Sequence, residues 1–214
     1  MPVAGAHDVI GDRAFGTRID ETADLGVSVC EGLMESGVLP VVKHMPGHGR
    51  AGVDSHLELP VVDTDLETLK KTDFMPFKML AHAPWGMTAH ILYKAIDAEN
   101  PVSLSKRAID EIIRGYIGFD GFLICDDLSM KALKGDLKTL TRRALEAGCD
   151  AVLHCNGDME EMKAVAEGVA PLNEKSLERL EKSLQVRRDA AARASFKDKS
   201  EIRAKVLDML KEVE

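Results

Sequence analysis

The sequence of 214 residues lacks a long apolar run, an excess of basic residues and a leader-like start. No stretch approaches the roughly 20 apolar residues that a membrane-spanning helix requires. Lys and Arg number 28 against 36 Asp and Glu, a net charge of −8, whereas wholesale nucleic-acid binding needs a basic surface. The start, MPVAGAHDVIGD, has neither the basic nor the continuous apolar segment of an export signal. We therefore expect a cytoplasmic protein that binds no nucleic acid and does not enter the membrane.

Cysteine is also scarce, and its spacing suggests neither a disulfide framework nor a metal site. Three of the four cysteines lie in apolar, glycine-flanked segments, which predicts reduced thiols in the core. The four are Cys30, Cys125, Cys149 and Cys155. His44 and His48 are four residues apart, but Pro46 and Gly47 between them prevent a shared helix face. We expect no metal and no cofactor.

The apolar pattern predicts an alternation of buried strands and amphipathic helices. The predicted strands are 38–44, 86–92, 121–125 and 149–155, and the predicted helices cover about 20–36, 64–80, 103–115 and 137–147. Thr64 and Glu67 have the spacing of a capping box for the second helix. Four strand-then-helix units indicate an α/β fold with a parallel sheet. Beyond Pro171 the composition becomes polar and helical, which predicts a unit over 1–172 and a C-terminal helical segment, 173–214, that packs on it.

Polar side chains follow each predicted strand at the point where it ends. They fall at 43–44, 88–90, 126–127 and 156–158. In a parallel α/β sheet or barrel, side chains at the carboxyl ends of the strands face the functional site. The four groups are therefore predicted to converge on one pocket.

The glycine-rich loop 46–56 carries an acid two residues before a histidine, Asp54 and His56. If this stretch is extended, both side chains point the same way, and the carboxylate can bind one imidazole nitrogen. Such a pair raises the pKa of the histidine and suits general acid/base catalysis. For an isolated Asp-x-His the plainer interpretation is that Asp54 caps a turn and His56 lies on the surface.

Asp126 directly follows the apolar segment Gly-Phe-Leu-Ile-Cys. A rigidly held carboxylate at this position is a candidate nucleophile or electrostatic stabiliser. The alternative is that Asp126 or Asp127 caps the turn that follows. We expect one of the two acids to be catalytic and the other structural.

Taken in order, the motifs KHMPGHG, DSH, ELP, TAHI and CDDLSM resemble glycoside hydrolase family 3, and VIGDRAFG near the start fits the same family. The closer resemblance is to bacterial β-N-acetylhexosaminidases that act in peptidoglycan recycling. It implies that Asp126 is the nucleophile and that Asp54 and His56 form an acid/base dyad. It also implies that Arg13, Lys43 and His44 hold the sugar hydroxyls.

The resemblance implies a retaining hydrolase of terminal β-linked N-acetylglucosamine in peptidoglycan fragments of the GlcNAc-1,6-anhydro-MurNAc type. The substrate partner would then be a carbohydrate, a muropeptide. Two alternatives stay open: a sugar-binding remnant without catalysis, and a metal-dependent hydrolase built on His44, His48 and His56.

Members of this family fold as a TIM barrel, (β/α)8, and the chain resembles only its C-terminal half, about four βα units. Half a barrel would leave apolar strand residues in need of cover from a second copy, from the other half or from rearranged helices. These residues are Val41, Val42, Met87, Leu123 and Ile124. We therefore expect the isolated chain to be inactive or weakly active unless it forms a homodimer.

Overall fold

The computed structural model describes residues 14–55, 57–193 and 199–211. Its strands are β1 (Val41–Met45), β2 (Val61–Val62), β3 (Trp85–Thr88), β4 (Leu92–Tyr93), β5 (Phe122–Asp127) and β6 (Ala151–Leu153). Its α-helices are α1 (Ile19–Glu35), α2 (Leu66–Lys71), α3 (Met75–Met79), α4 (Leu137–Ala147), α5 (Met159–Gly168), α6 (Glu174–Arg193) and α7 (Lys199–Lys211). A 3-10 turn covers Val102–Leu104, and a π-helix covers Ala108–Tyr116.

The four principal strands form one parallel sheet in the order β1-β3-β5-β6, which confirms the predicted α/β architecture. The second predicted strand was too long. Regular pairing of β3 ends at Thr88, and the chain then pairs β4 with β2 in a separate two-stranded sheet. All three strand pairings of this sheet are parallel, so the carboxyl ends of its strands lie along one edge.

Helix α4 follows the signals in the local sequence, whereas the second predicted helix needs two corrections. Helix α4 matches its predicted range and ends at Gly148, whose φ of 117° lies in the left-handed region that glycine favours. The predicted helix over 64–80 is two short helices, because the chain leaves helical hydrogen bonding after Lys71 and restarts at Met75 with Pro76 in the first turn. The capping box was wrong, since Asp65 caps α2 by accepting from the Thr68 N–H.

The sheet buries apolar side chains on both faces. Leu123 and Cys125 of β5 belong to the large core beneath the outer helices, whereas Phe122 and Ile124 belong to a smaller cluster on the other face. Leu180 of α6 packs on that second cluster, together with residues of β3 and β6. A helix of the chain itself therefore covers part of the face that was expected to be open.

Four of the five residues expected to need cover are less than a tenth exposed, namely Val42, Met87, Leu123 and Ile124. Val41, on the outer strand β1, remains 39% exposed. The need for outside cover is thus concentrated at the β1 edge.

Helix α6 is held at the amino ends of the strands, opposite the polar edge. Arg179 pairs with Asp120, just before β5, and with Asp150, just before β6. Ser176 also donates to Asp150 at 2.6 Å. The division of the chain at 172/173 into two units stays a prediction.

Of the helices in the described part of the chain, none combines the length and apolar character that crossing a membrane would require. The prediction of reduced cysteines is confirmed: Cys30, Cys125 and Cys149 are free and buried, and Cys155 is free and exposed.

Gly121 is required by close backbone approach at the start of β5. A Cβ there would collide with the Ala83 carbonyl oxygen and lie 2.7 Å from the Pro84 carbonyl oxygen. We expect Gly121→Ala to lower the free energy of unfolding by about 1–3 kcal/mol, measured by urea denaturation. The matched control is Gly32→Ala in α1, where no described atom lies within 4 Å and where alanine is favoured by up to about 1 kcal/mol. Equal effects at both positions would contradict the packing argument.

Candidate active site

The carboxyl ends of β1 and β5 bring a histidine and a carboxylate together. His44 Nε2 lies 3.6 Å from Asp126 Oδ2, and both side chains are about 15% exposed (15% and 16%). This is an ion-pair distance in a partly water-excluded setting, where charges interact more strongly than in bulk water. Lys43 precedes His44 and is exposed at the same strand end. The structure thus brings together three of the predicted site residues.

Asp126 lies on the face of β5 that also carries Phe122 and Ile124, because side chains alternate along a strand. Its Oδ1 accepts from the Asp127 N–H at 2.9 Å, which leaves Oδ2 directed toward His44.

Asp127 has the structural role that the sequence left open for one of the two acids. Its carboxylate accepts from the Ser129 N–H, the Ser129 hydroxyl and the Cys155 N–H at 3.0, 2.7 and 3.2 Å. These bonds cap the turn after β5 and join it to the end of β6. Asp126 is therefore the acid of the pair that remains available for chemistry.

The loop 46–56, which follows β1, is held in place by three contacts. The Tyr93 hydroxyl donates to the Gly47 carbonyl at 2.8 Å, and burial raises the pKa of that hydroxyl well above its usual range. Arg50 Nε donates to Asp73 Oδ2 at 2.7 Å. His48 Nε2 lies 3.2 Å from Ser55 Oγ, next to Asp54. These contacts could not be predicted from spacing in the sequence.

The predicted partner of Asp54, His56, lies outside the described residues. The Asp54 carbonyl accepts from the N–H groups of Leu57 and Glu58 at 3.0 and 3.1 Å. The Asp54–His56 pair stays a prediction. Asp54 itself is partly buried. Arg13 also lies outside the described residues, and its role stays a prediction.

A buried histidine lies behind the two acids. His90 is fully buried, its Nε2 lies 3.0 Å from the Asp127 carbonyl oxygen, and its Nδ1 lies 2.8 Å from Ser103 Oγ. His90 belongs to the polar group 88–90 that was predicted to face the pocket, whereas the structure places it in a hydrogen-bonded interior position. Nothing in the sequence indicated that Ser103 would contact His90.

The end of β6 completes the polar edge. Burial raises the pKa of the Cys155 thiol, and the nearby Asp127 and Asp126 carboxylates add to the rise while Lys43 opposes it. His154 Nε2 bonds Glu161 Oε2 at 2.9 Å. Cys155 thus lies within electrostatic reach of the acids and of Lys43.

A cavity of about 350 Å³ opens between α1, β1 and α3. Its polar end is formed by Lys43, His44 and His48, and most of its remaining wall is apolar. Asp126 is absent from the described residues that line it. A sugar ring bearing hydroxyl groups is therefore better matched to the carboxyl edge of the sheet than to this cavity.

The Arg50–Asp73 pair gives a test of how the loop is held. Asp73 is buried, and charge-assisted hydrogen bonds of this kind contribute about 1.5–3 kcal/mol. We expect Arg50→Met to speed amide hydrogen exchange over 47–55 by about 10- to 100-fold, since each 1.4 kcal/mol is a factor of ten. Exchange in β5 should not change. Lys94→Met, which breaks the exposed Lys94–Asp63 pair, is the control; the same loop response there would contradict the assignment.

A parallel α/β sheet with a carboxylate and a histidine at its carboxyl edge defines an enzyme-like α/β domain of the barrel type. The chain belongs to glycosyl hydrolase family 3: the model of its N-terminal domain matches residues 2–187. The family membership and fold class expected from the motifs are confirmed.

Relatives and solved structures support the same assignment. A beta-hexosaminidase of Alkalilimnicola ehrlichii is 43% identical over 156 residues, which cover 71% of this chain and 44% of the relative. One of Idiomarina loihiensis is 39% identical over 159 residues, covering 73% and 48%. The structure of NagZ from Neisseria gonorrhoeae in complex with N-trifluoroacetyl-D-glucosamine is 33% identical, with a TM-score of 0.75 over 85% of this chain and 53% of that one.

A family 3 β-N-acetylglucosaminidase from Paenibacillus sp. str. FPU-7 is 29% identical, with a TM-score of 0.77 over 92% of this chain and 40% of that one. The chain spans about half the length of the curated relatives it matches. Across 14–55, 57–193 and 199–211, no group of three or more His, Cys, Asp and Glu side chains is arranged to hold a metal ion.

Proposed function

We propose that this chain carries the catalytic groups of a retaining β-N-acetylglucosaminidase that removes terminal β-linked N-acetylglucosamine from peptidoglycan fragments. The observation that supports this most directly is the 3.6 Å approach of His44 to Asp126 at the carboxyl edge of the sheet. Beta-hexosaminidases among its relatives, and a relative solved with an N-acylated glucosamine, support the substrate class.

In the proposed mechanism Asp126 Oδ2 attacks the anomeric carbon, and the bond from that carbon to the leaving oxygen breaks. His56, paired with Asp54, gives a proton to the leaving oxygen. The product of this step is a covalent glycosyl-enzyme with one inversion at the anomeric carbon. His56 then takes a proton from water, which attacks the same carbon and releases Asp126 with net retention.

Lys43, His44 and Arg13 are the proposed ligands of the sugar hydroxyls. We also propose that the protein is cytoplasmic, as its resemblance to the peptidoglycan-recycling enzymes implies. It stays a prediction that a second copy of the chain, or the other half of the barrel, covers the β1 edge.

The test is hydrolysis of a chromogenic β-N-acetylglucosaminide by the purified chain, with the configuration of the first product followed by NMR. We expect slow release with net retention and no response to a chelator. Binding of N-acetylglucosamine without hydrolysis would favour the sugar-binding alternative. Loss of activity on chelation would favour the metal-dependent alternative built on His44, His48 and His56.

A further inference from the structure

The proton on His90 is assigned by the groups that surround it. Nε2 lies 3.0 Å from the Asp127 carbonyl oxygen, which can only accept a hydrogen bond. Nε2 must therefore carry a proton. The remaining question is whether Nδ1 is bare, which makes the ring neutral, or protonated, which makes it a buried cation.

Ser103 decides between these two states. Its Oγ lies 2.8 Å from His90 Nδ1, 2.7 Å from Thr88 Oγ1 and 3.1 Å from the Ala89 carbonyl oxygen. In the neutral state Thr88 donates to Ser103, and the single Ser103 proton is shared between two acceptors, the bare Nδ1 at 2.8 Å and the more distant Ala89 carbonyl oxygen at 3.1 Å. Burial lowers the pKa of His90, and the Asp127 carbonyl with the Asp126 and Asp127 carboxylates offsets only part of that effect. The neutral ring with Nε2–H fits both the distances and the burial.

Asp127 connects this histidine to the proposed nucleophile. The peptide between Asp127 and Leu128 is held at both ends, because His90 donates to its carbonyl and its N–H donates to the Leu153 carbonyl at 2.9 Å. The preceding N–H, of Asp127, donates to Asp126 Oδ1. Orientation of the Asp126 carboxylate therefore depends on a peptide segment that His90 anchors from the interior.

We propose that His90, kept neutral with its proton on Nε2 by Ser103, is a positioning residue that orients Asp126 through the Asp127 backbone. Its kinetic consequence rests on the proposed function of Asp126, whereas its structural consequence does not. No contact between His90 and substrate is involved, since the ring is fully buried.

The first experiment is ¹H–¹⁵N NMR of histidine-labelled chain at neutral pH, which separates the two neutral tautomers and the cation. The His90 signals are assigned by their loss in His90→Gln. We expect a neutral ring with Nε2–H. A proton on Nδ1 alone, or a cationic ring, would overturn the proposal whatever the chain catalyses.

The second experiment compares His90→Met, which removes the donor, with His90→Gln, whose amide keeps a neutral N–H donor. In His90→Met we expect the Leu128 amide to exchange about tenfold faster or more. We expect kcat to fall about 10- to 100-fold, as for other small misplacements of a reacting group, with KM nearly unchanged. His90→Gln should restore most of both. His82→Gln, at an exposed turn before β3 and away from the polar edge, is the matched control and should leave kcat unchanged.

A merely structural histidine would give a different result: lower stability in both variants, with kcat per folded molecule and Leu128 exchange unchanged. That outcome, or equal losses in His90→Gln and His90→Met, would overturn the proposal. If the wild-type chain hydrolyses no substrate, the proposed function fails, and the tautomer and Leu128 exchange still decide the positioning role.

Discussion

Replacement of Asp126 by Asn is expected to lower kcat/KM on a chromogenic β-N-acetylglucosaminide by about 10⁴-fold or more, as loss of a nucleophile does in other enzymes. The reason is that Asn keeps the shape and the contact with the Asp127 N–H but cannot form the glycosyl ester. The fold should be retained, because within the part of the chain that the structure describes the Asp126 carboxylate accepts its hydrogen bond from the adjacent Asp127 N–H and caps no turn. Intact-mass measurement should detect the N-acetylhexosaminyl adduct on the wild-type chain and not on Asp126→Asn.

A small external anion can identify the reacting position directly. In Asp126→Gly, azide has room to attack the anomeric carbon in place of the carboxylate, and the leaving oxygen departs with a proton from the general acid. The expected product is the α-configured glycosyl azide, since no second displacement follows. Asp127→Asn should keep the adduct while losing stability, because it weakens the cap on Ser129.

Asp158→Asn is the matched control for a lost negative charge at the same edge of the sheet. Asp158 caps α5 just beyond β6, and Asn caps helices equally well, so activity and stability should both be maintained. Full activity in Asp126→Asn, or a β-configured azide from Asp126→Gly, would show that another residue is the nucleophile.

The sequence predicted the parts of the fold that depend on local chemistry. The apolar run before Asp126 predicted β5, and the amphipathic pattern closed by Gly148 predicted α4. Parallel strands place their carboxyl ends at one edge of the sheet, so the sequence also predicted that Lys43, His44 and Asp126 lie at the same edge. These inferences needed no knowledge of tertiary contacts.

Contacts between distant segments could not be predicted in this way. Ser103 reaches His90 because the chain folds back after β4, and Arg50 reaches Asp73 across 23 residues. The cover that Leu180 gives to Phe122 and Ile124 likewise depends on where α6 docks, which periodicity does not specify. Sequence spacing carries no information on such pairings, because each side chain alone is common on a surface.

A buried carboxylate that binds donors from three elements is expected to dominate the stability of the domain. Asp150 is 1% exposed at its side chain and accepts from the Leu123 N–H at 2.8 Å, Arg114 at 2.9 Å, Arg179 at 3.0 Å and Ser176 at 2.6 Å. These donors come from β5, the π-helix and α6. All of the acceptor capacity of the carboxylate is thus used within the protein.

We expect Asp150→Ala to reduce the free energy of unfolding by about 3–5 kcal/mol, because removal of one partner leaves buried charge without compensation. Arg114 and Arg179 are only 14% and 12% exposed at their side chains, so water cannot replace the lost carboxylate well. Native domains are stable by only about 5–15 kcal/mol, so the variant should approach the threshold of folding. Urea denaturation gives the change, and limited proteolysis should show earlier cleavage of α6.

The control for Asp150→Ala is Glu167→Ala, which breaks the Lys138–Glu167 pair, where both side chains are more than half exposed. Pairs of this kind contribute about 0–1 kcal/mol. Asp150→Asn separates the effect of charge from that of shape. It keeps an acceptor oxygen for the Leu123 N–H but places an amide donor against an arginine. We expect its free energy of unfolding to lie between those of the wild type and Asp150→Ala. A loss below about 1 kcal/mol in Asp150→Ala would mean that the apolar contact of Leu180, and not the ionic network, holds α6 on the sheet.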